Sequence, residues 1–185
     1  MSHIVRRVLS HEYTKYRTHL QTLDAESNRL RFGVLTSASV IDQFCDGIDQ
    51  NAADHILFCV ENHQLEFVGI GHIVVGPAME LAFSVLQDYQ GQGIGSALMA
   101  RCIQYCRTHG ILTGSMVCLS YNSTIKHMCI KHGIKLTTEH GETMAAIELP
   151  SPEFVTYFNE GLDHNLAAMD YVTKRTILSW KKNTG

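Results

Sequence analysis

The 185 residues predict a single α+β domain, and three observations carry that prediction. Mid-chain, Leu81, Phe83 and Val85 alternate with Glu80, Ala82 and Ser84, the period-2 pattern of a half-buried strand. Elsewhere apolar residues recur at helical spacing, as in Val40, Ile41, Phe44 and Ile48. Between the strand and a helix running through Leu98 and Met99 lies a glycine-rich turn, Gln90-Gly91-Gln92-Gly93-Ile94-Gly95.

From the N-terminus, Ile4 to Leu9 predicts a first strand, and a helical segment follows through Tyr16 and Leu20. The polar stretch Leu23 to Phe32, with spaced apolar residues, predicts a short helix and its approach. Ser37 to Ile48 predicts another helix, with Ser39 and Asp42 as a capping pair. His55 to Glu61 is nearly continuous apolar, and Leu65 to Val75 resumes after an Asn62-His63 turn; both predict strands. Gly69, Gly71 and Gly76 in the second predict bulges or a close neighbour. Gly76-Pro77 turns into the strand beginning near Met79 and completes a three-strand meander.

The helix after the glycine turn should run from Gly93 to His109, where Gly110 closes it. Ser115 to Ser120 predicts a strand, and Asn122 to His132 a helix ended by Gly133. Ile134 to Thr138 and Thr143 to Leu149 predict a last pair of strands around His140-Gly141, and Pro150 and Pro152 end the sheet. From Phe154 a helix carries an apolar stripe through Phe158, Leu162, Leu166 and Met169 towards Val172. Gly161 within it costs about 1 kcal/mol relative to alanine, so this helix needs tertiary support. The stripe suits docking on the chain's own core or on a partner subunit, and a homodimer is one expectation.

A strand delivered into glycines at a helix N-terminus is an anion site, because the first N–H groups lack intrahelical partners and the helix dipole favours negative charge. A mononucleotide P-loop needs Gly-Lys-Ser/Thr, and this turn carries no lysine. The dinucleotide fingerprint needs a glycine three places after Gly93, where Ser96 stands. Both nucleotide readings fail on spacing.

Composition narrows the partners. A formal net charge of −3 argues against a nucleic-acid binder, and no apolar run is long enough to span a membrane. No signal-peptide h-region opens the chain. The six cysteines form no Cys-x-x-Cys pair, which suits free thiols in a reducing cytoplasm. Eleven histidines invite a metal, yet none of them reaches zinc-ligand spacing, and no metal is expected.

Gln90-x-x-Gly93-x-Gly95 resembles the Gln/Arg-x-x-Gly-x-Gly/Ala pyrophosphate loop of the GNAT acetyltransferase superfamily. Asn122, Ile125, Met128 and Gly133-Ile134 resemble that family's Asn-x-x-Ala-x-x-Leu-Tyr-x-x-x-Gly-Phe helix. The resemblance implies the GNAT fold, a mixed, mostly antiparallel sheet flanked by helices in three layers, over residues 1–150, with 151–185 as a C-terminal helical extension. It implies acetyl-CoA as acyl donor. Phe83, Ser84 and Val85 would pair with the pantetheine arm, Gln90, Gly91, Gln92, Gly93, Ile94, Gly95 and Ser96 would hold the pyrophosphate, and Asn122 would bond the pantetheine. Asn122 also reads as a plain N-cap, and the two roles are compatible.

A narrower resemblance is to Pat-type protein lysine acetyltransferase domains. It rests on Leu23-Asp24-Ala25-Glu26-Ser27 leading to Arg31-Phe32, on Met79-Glu80-Leu81-Ala82, and on Asp170-Tyr171 in the tail. The tyrosine that protonates the leaving thiolate in many GNAT members is Cys129 here, so that role does not carry over. The subgroup lacks that tyrosine and assigns proton abstraction to the strand glutamate, Glu80. Read from the residues, Glu80 is either this base, if its strand face opens on the cleft, or a solvated glutamate on a sheet face. Cys129 reads as a buried structural cysteine, and Tyr121 has no independent support as the acid.

The resulting expectation is direct attack of a primary amine on acetyl-CoA in a ternary complex, with a protein lysine as acceptor. A small-amine or polyamine acetyltransferase of the same fold is the alternative. A domain that binds acyl-CoA without catalysis is another.

Overall fold

The computed structural model describes residues 3–139 and 142–183. Its strands are β1 (Arg6–Arg7), β2 (His55–Glu61), β3 (Phe67–Val74), β4 (Met79–Val85), β5 (Thr113–Leu119), β6 (Lys135–Glu139) and β7 (Glu142–Glu148). They form one sheet in the order β1-β2-β3-β4-β5-β7-β6. Every neighbouring pair is antiparallel except β4 and β5. The helices are α1 (Tyr13–Thr22), α2 (Ala25–Phe32), α3 (Ala38–Gln50), α4 (Ile94–Thr108), α5 (Ser123–Lys131) and α6 (Phe154–Asn183). This is the mixed α+β sheet with flanking helices that the sequence predicts; the His140-Gly141 turn lies outside the described residues.

Two apolar layers sandwich the sheet. On one side Phe58, Ile73, Met79, Leu81 and Ile147 meet Leu98, Met99 and Cys102 of α4 and Cys129 of α5. On the other, Leu57, Cys59 and Ile70 meet Tyr16 and Leu20 of α1 and Ile41 and Ile48 of α3. Alternate residues of β2 feed opposite layers, which is why His55 to Glu61 reads as a continuous apolar run. The glycines of β3 let α4 approach. A Cβ at Gly69 would fall 2.5 Å from Ile94 Cγ2, and one at Gly71 2.8 Å from Cys102 Sγ. A register shift between Val60 and Glu61 opposite Phe67 to Gly69 adds a bulge to that close approach.

Two local expectations are corrected. The first strand is only Arg6–Arg7 rather than Ile4 to Leu9, because the chain turns into a 3₁₀ segment at Ser10–Glu12. That turn brings Glu12 back onto Arg6. The capping pair at Ser39 and Asp42 is not formed either. Ser37 is the N-cap of α3, Ser39 Oγ bonds Ser37 Oγ at 3.0 Å, and Asp42 accepts from Arg17 (3.2 Å) and Gln21 (2.8 Å) of α1. A carboxylate that ties two helices together is no longer available for capping. By contrast, Asp24 caps α2 through the N–H groups of Glu26 and Ser27.

Arg6 is the buried ion that staples the N-terminus to the sheet. Its guanidinium donates to both carboxylate oxygens of Glu12 (2.7 and 2.8 Å) and, through Nε, to Glu61 at 2.9 Å. Burial alone would push the Glu12 carboxyl up, but the Arg6 hydrogen bonds and charge overcome it and hold the group down at about 2. Two carboxylates out of water are tolerated because one planar fork satisfies both, with Lys15 adding a second cation at 3.2 Å from Glu12 and 3.8 Å from Glu61. Arg6→Ala should therefore cost about 3–5 kcal/mol, the usual penalty for stranding buried charges, read as a fall in the urea midpoint. A loss under 1 kcal/mol would mean that the carboxylates find other partners.

Candidate active site

The sheet opens between β4 and β5. Their parallel ladder consists of Met79 opposite Gly114 and Glu80 opposite Ser115, and there it ends. Beyond it, the outer edges stay paired, β4 to β3 and β5 to β7, while the facing edges of Leu81–Val85 and Met116–Leu119 have no ladder partner among the described residues. Backbone N–H and C=O groups in such a gap need a partner, from water or from a ligand that runs like a strand. A cleft of 690 Å³ leads from this gap, between β4, the glycine turn and α5.

The turn is shaped for an anion. Gly91 and Gly93 have φ of +72° and +87°, and Gly93 is the N-cap of α4. Those left-handed residues turn the chain so that α4 begins facing the cleft, which Ile94, Gly95 and Ser96 line. The N–H groups of this first turn have no intrahelical acceptor and sit at the positive end of the helix dipole. Gln90 holds the turn in place, its Nε2 donating to Ser27 Oγ of α2 (2.9 Å) and to the Val85 carbonyl (3.0 Å). Asn122 caps α5 by accepting from the Ile125 N–H at 3.1 Å, and it lines the cleft as well.

Of the residues singled out in sequence, Phe83, Ser84, Val85, Gln90, Gly91, Gly93, Ile94, Gly95, Ser96 and Asn122 come together around this one cleft. Gln92 does not line it. Its side chain donates to the Asp88 carbonyl, and its own carbonyl accepts from His3. Glu80 also lies outside the cleft wall, exposed at the last rung of the β4–β5 ladder, on the strand face shared with Ala82 and Ser84. Cys129 is fully buried, and burial pushes its thiol up to about 11. Tyr121 is exposed and does not line the cleft.

Sequence reasoning missed a cation. Lys131, in the last turn of α5, lines the cleft and donates to Ser96 Oγ at 3.0 Å, so a positive charge stands over the α4 N-terminus. Thr124, His127 and Met128 line the same wall. Their spacing, i, i+3, i+4 and i+7 from Thr124 to Lys131, defines one helix face and was the available signal. Ser27 and Leu30 of α2 complete the opposite wall; Ser27 belongs to the 23–32 stretch that resembles the Pat-type domains, though nothing in the sequence placed it at the cleft.

Three histidines, His19, His55 and His72, form hydrogen bonds in or beside the second layer. His19 Nδ1 donates to the Phe67 carbonyl (2.8 Å), so its neutral ring accepts at Nε2 from Ser84 Oγ (2.8 Å). The Ser84 hydroxyl is thereby committed to α1, and its main chain pairs with Ile70 of β3. Arg31 can only donate, so His72 Nδ1 accepts from it and from Tyr16, and His72 Nε2 donates to His55 Nδ1 at 2.9 Å. Among the described residues no cluster of three or more His, Cys, Asp or Glu could hold a metal ion.

The model of the acetyltransferase (GNAT) family matches residues 20–133, which takes in α2 through α5, the cleft and the glycine turn. The chain belongs to the GNAT acetyltransferase family. Solved structures agree on the fold. The GNAT domain of S. lividans PAT superposes with a TM-score of 0.65 at 20% identity, covering 78% of this chain and 89% of that one. The ribosomal-protein-alanine N-acetyltransferase of Brucella melitensis superposes at 0.60 with 16% identity over 78% and 99% of the two chains. The PaiA N-acetyltransferase of Thermoplasma acidophilum, solved in complex with coenzyme A, gives 0.59 with 15% identity over 80% and 99%. No curated protein matches this sequence at a significant level.

In this GNAT domain His19, buried beneath β4, makes the fold acid-sensitive. Burial pushes its imidazole down to about 4, against the hydrogen bond to the Phe67 carbonyl that raises it. The unfolded chain takes up this proton near pH 6.5 and the folded chain only near 4, so stability is full above about 6.5 and falls as pH drops through that window. At pH 5 the loss from His19 alone should be about 2 kcal/mol. Urea midpoints at pH 7 and pH 5 check it, and His19→Gln should remove the His19 share while the share of His72, which burial also pushes down, remains. An unchanged dependence in the variant would assign it to other groups.

Proposed function

We propose that this chain transfers an acetyl group from acetyl-CoA to a primary amine, with a protein lysine side chain as acceptor. The observation that carries the reading is the unpaired gap between β4 and β5 leading to the glycine turn at the α4 N-terminus. The residues present suit the donor. A cradle of glycines without Cβ atoms, several free N–H groups and Lys131 suit a pyrophosphate, and the open β4 edge suits an amide-bearing arm. In this reading Phe83, Ser84 and Val85 pair with the pantetheine, and Gly91 to Ser96 and Lys131 take the phosphates. Asn122 is free to bond the arm through its amide nitrogen while its oxygen caps α5. Residues 1–150 carry the chemistry, and α6 is a helical extension to them.

Acetyl-CoA brings an activated thioester carbonyl; the protein must supply a neutral amine and an electrostatic partner for the developing oxyanion. A lysine ammonium has an ordinary pKa of about 10.4, so it must surrender a proton before it can attack. We assign that proton to Glu80, directly or through one water. Its carboxylate is exposed where the two strands part, and no hydrogen bond or ion pair among the described residues engages it. The N–H of Val85 is a candidate donor to the carbonyl oxygen. As the new C–N bond forms, the C–S bond breaks and the thiolate leaves; an ordinary thiol pKa of about 8.5 lets it depart without a strong acid. Buried Cys129 has no part in the transfer. The lysine preference rests on the stretches 23–32 and 79–82.

CoA release measured against lysine-bearing proteins, polyamines and amino acids tests this, with an enzyme-only blank for the protein's own thiols. Glu80→Gln should lower kcat/KM by at least about a hundredfold while acetyl-CoA binding stays unchanged. Unchanged turnover in that variant would remove Glu80 from the mechanism. Acetyl-CoA binding without release for any acceptor would instead support a domain that senses acyl-CoA. Separately, Lys131→Ala should weaken acetyl-CoA binding by about tenfold, the loss of one charge-assisted bond, with a smaller effect at high salt. Equal affinity by calorimetry would show that the glycine turn suffices alone.

A further inference from the structure

The C-terminal helix is amphipathic the wrong way round for a helix that only covers its own domain. Its inward face is largely polar. Glu160 pairs with Arg101 of α4 at 3.4 Å, Asp170 with Lys174 at 2.7 Å, and Lys174 reaches the Glu61 carbonyl at 3.4 Å. Thr156 and Ala167 are its buried positions, and Tyr171 stacks under the Arg6 guanidinium at 4.5 Å. The apolar side chains point outward. Phe158, Leu162, Leu166, Met169, Val172 and Trp180 are 46–73% exposed. At about 100° per residue these six fall within about 120° of one another, forming one seam whose Leu162 and Leu166 edge borders a groove lined by Gln104 and Arg107 of α4.

We propose that this seam is the interface of a homodimer in which α6 packs antiparallel against α6 of a second copy. The area suffices: with Phe154, Val155 and Ile177 alongside, the seam offers on the order of 1,000 Å² of apolar surface, against roughly 800 Å² per partner in a standard interface. The helix dipoles set the direction: antiparallel pairing opposes the two dipoles, whereas a parallel pair would align them like with like. A membrane surface is disfavoured, because an interfacial helix presents a cationic polar face and this one turns a carboxylate-bearing face inward. The inference stands independently of the acetyl-transfer chemistry.

The test uses the full chain. Sedimentation velocity should show a concentration-dependent dimer, and Leu162→Glu should weaken it at least about a hundredfold while circular dichroism and acetyl-CoA binding stay unchanged. Cysteine cross-linking reads the direction, since the six native thiols are all buried. Met169 lies near the two-fold axis of an antiparallel pair, so Met169→Cys should form an intermolecular disulfide on mild oxidation. Phe158 of the two copies would sit about 30 Å apart, so Phe158→Cys should not. A monomer at every concentration overturns the proposal, including one whose seam instead binds vesicles of phosphatidylcholine and phosphatidylserine. Self-linking by Phe158→Cys overturns it as well, because that requires a parallel pair.

Discussion

The site depends on a ladder that stops after two rungs. β4 and β5 pair at Met79–Gly114 and Glu80–Ser115, then separate, and the separation leaves backbone groups on both edges with no protein partner. Continuous pairing would close the sheet and remove the cleft. What holds the strands apart is their attachment elsewhere: β4 is pinned to β3 along Gly69–Val74, and β5 to β7 along its whole length. α2 spans the gap on one face, while α4 and α5 flank it on the other. The opening is thus a consequence of two complete antiparallel ladders meeting at one short parallel contact.

Around that opening, polar groups serve to position rather than react. Gln90 ties the glycine turn to α2 and β4, His19 locks the Ser84 hydroxyl away from the cleft, and Asn122 caps the helix that carries Lys131. Gln90 and Asn122 thereby leave main-chain atoms and a cation facing the ligand, which suits an extended, multiply charged donor. Burial keeps the cysteines out of the cleft wall. Cys102 and Cys106 sit against the sheet, and burial raises both thiols, Cys106 to about 12.

Distant from the cleft, Arg6 links the N-terminal segment, the sheet edge and the long helix. It binds Glu12 and Glu61 in the plane of its guanidinium and takes Tyr171 against its face. One residue of the shortest strand thereby anchors α6, and α6 in turn presents an apolar seam outward. The same helix that needs tertiary support for Gly161 receives it through ion pairs and a cation–π contact, with the space beside Gly161 left open.

Much of this was legible in the residues alone. Alternation around Leu81, Phe83 and Val85, helical spacing at Ile41 and Ile48, and the glycines at 91, 93 and 95 are local signals, and local signals specify elements. The chain order of strands and helices, together with the Gln90 and Asn122 motifs, was enough to indicate the family. Other features required the fold. The shortening of the first strand goes with Arg6 binding both Glu12 and, 55 residues away in sequence, Glu61. Asp42 abandons a capping role because Arg17 and Gln21 lie across a helix interface. Lys131 meets Ser96 only once α5 is laid beside α4. Which face of the last helix turns inward was equally undetermined, since periodicity defines a stripe and not its direction. Sequence therefore determined the elements and the glycine turn, which short-range sterics and hydrogen bonding dictate. Tertiary structure decided the cleft, its cation and the outward seam, because each depends on distant residues competing for the same partners.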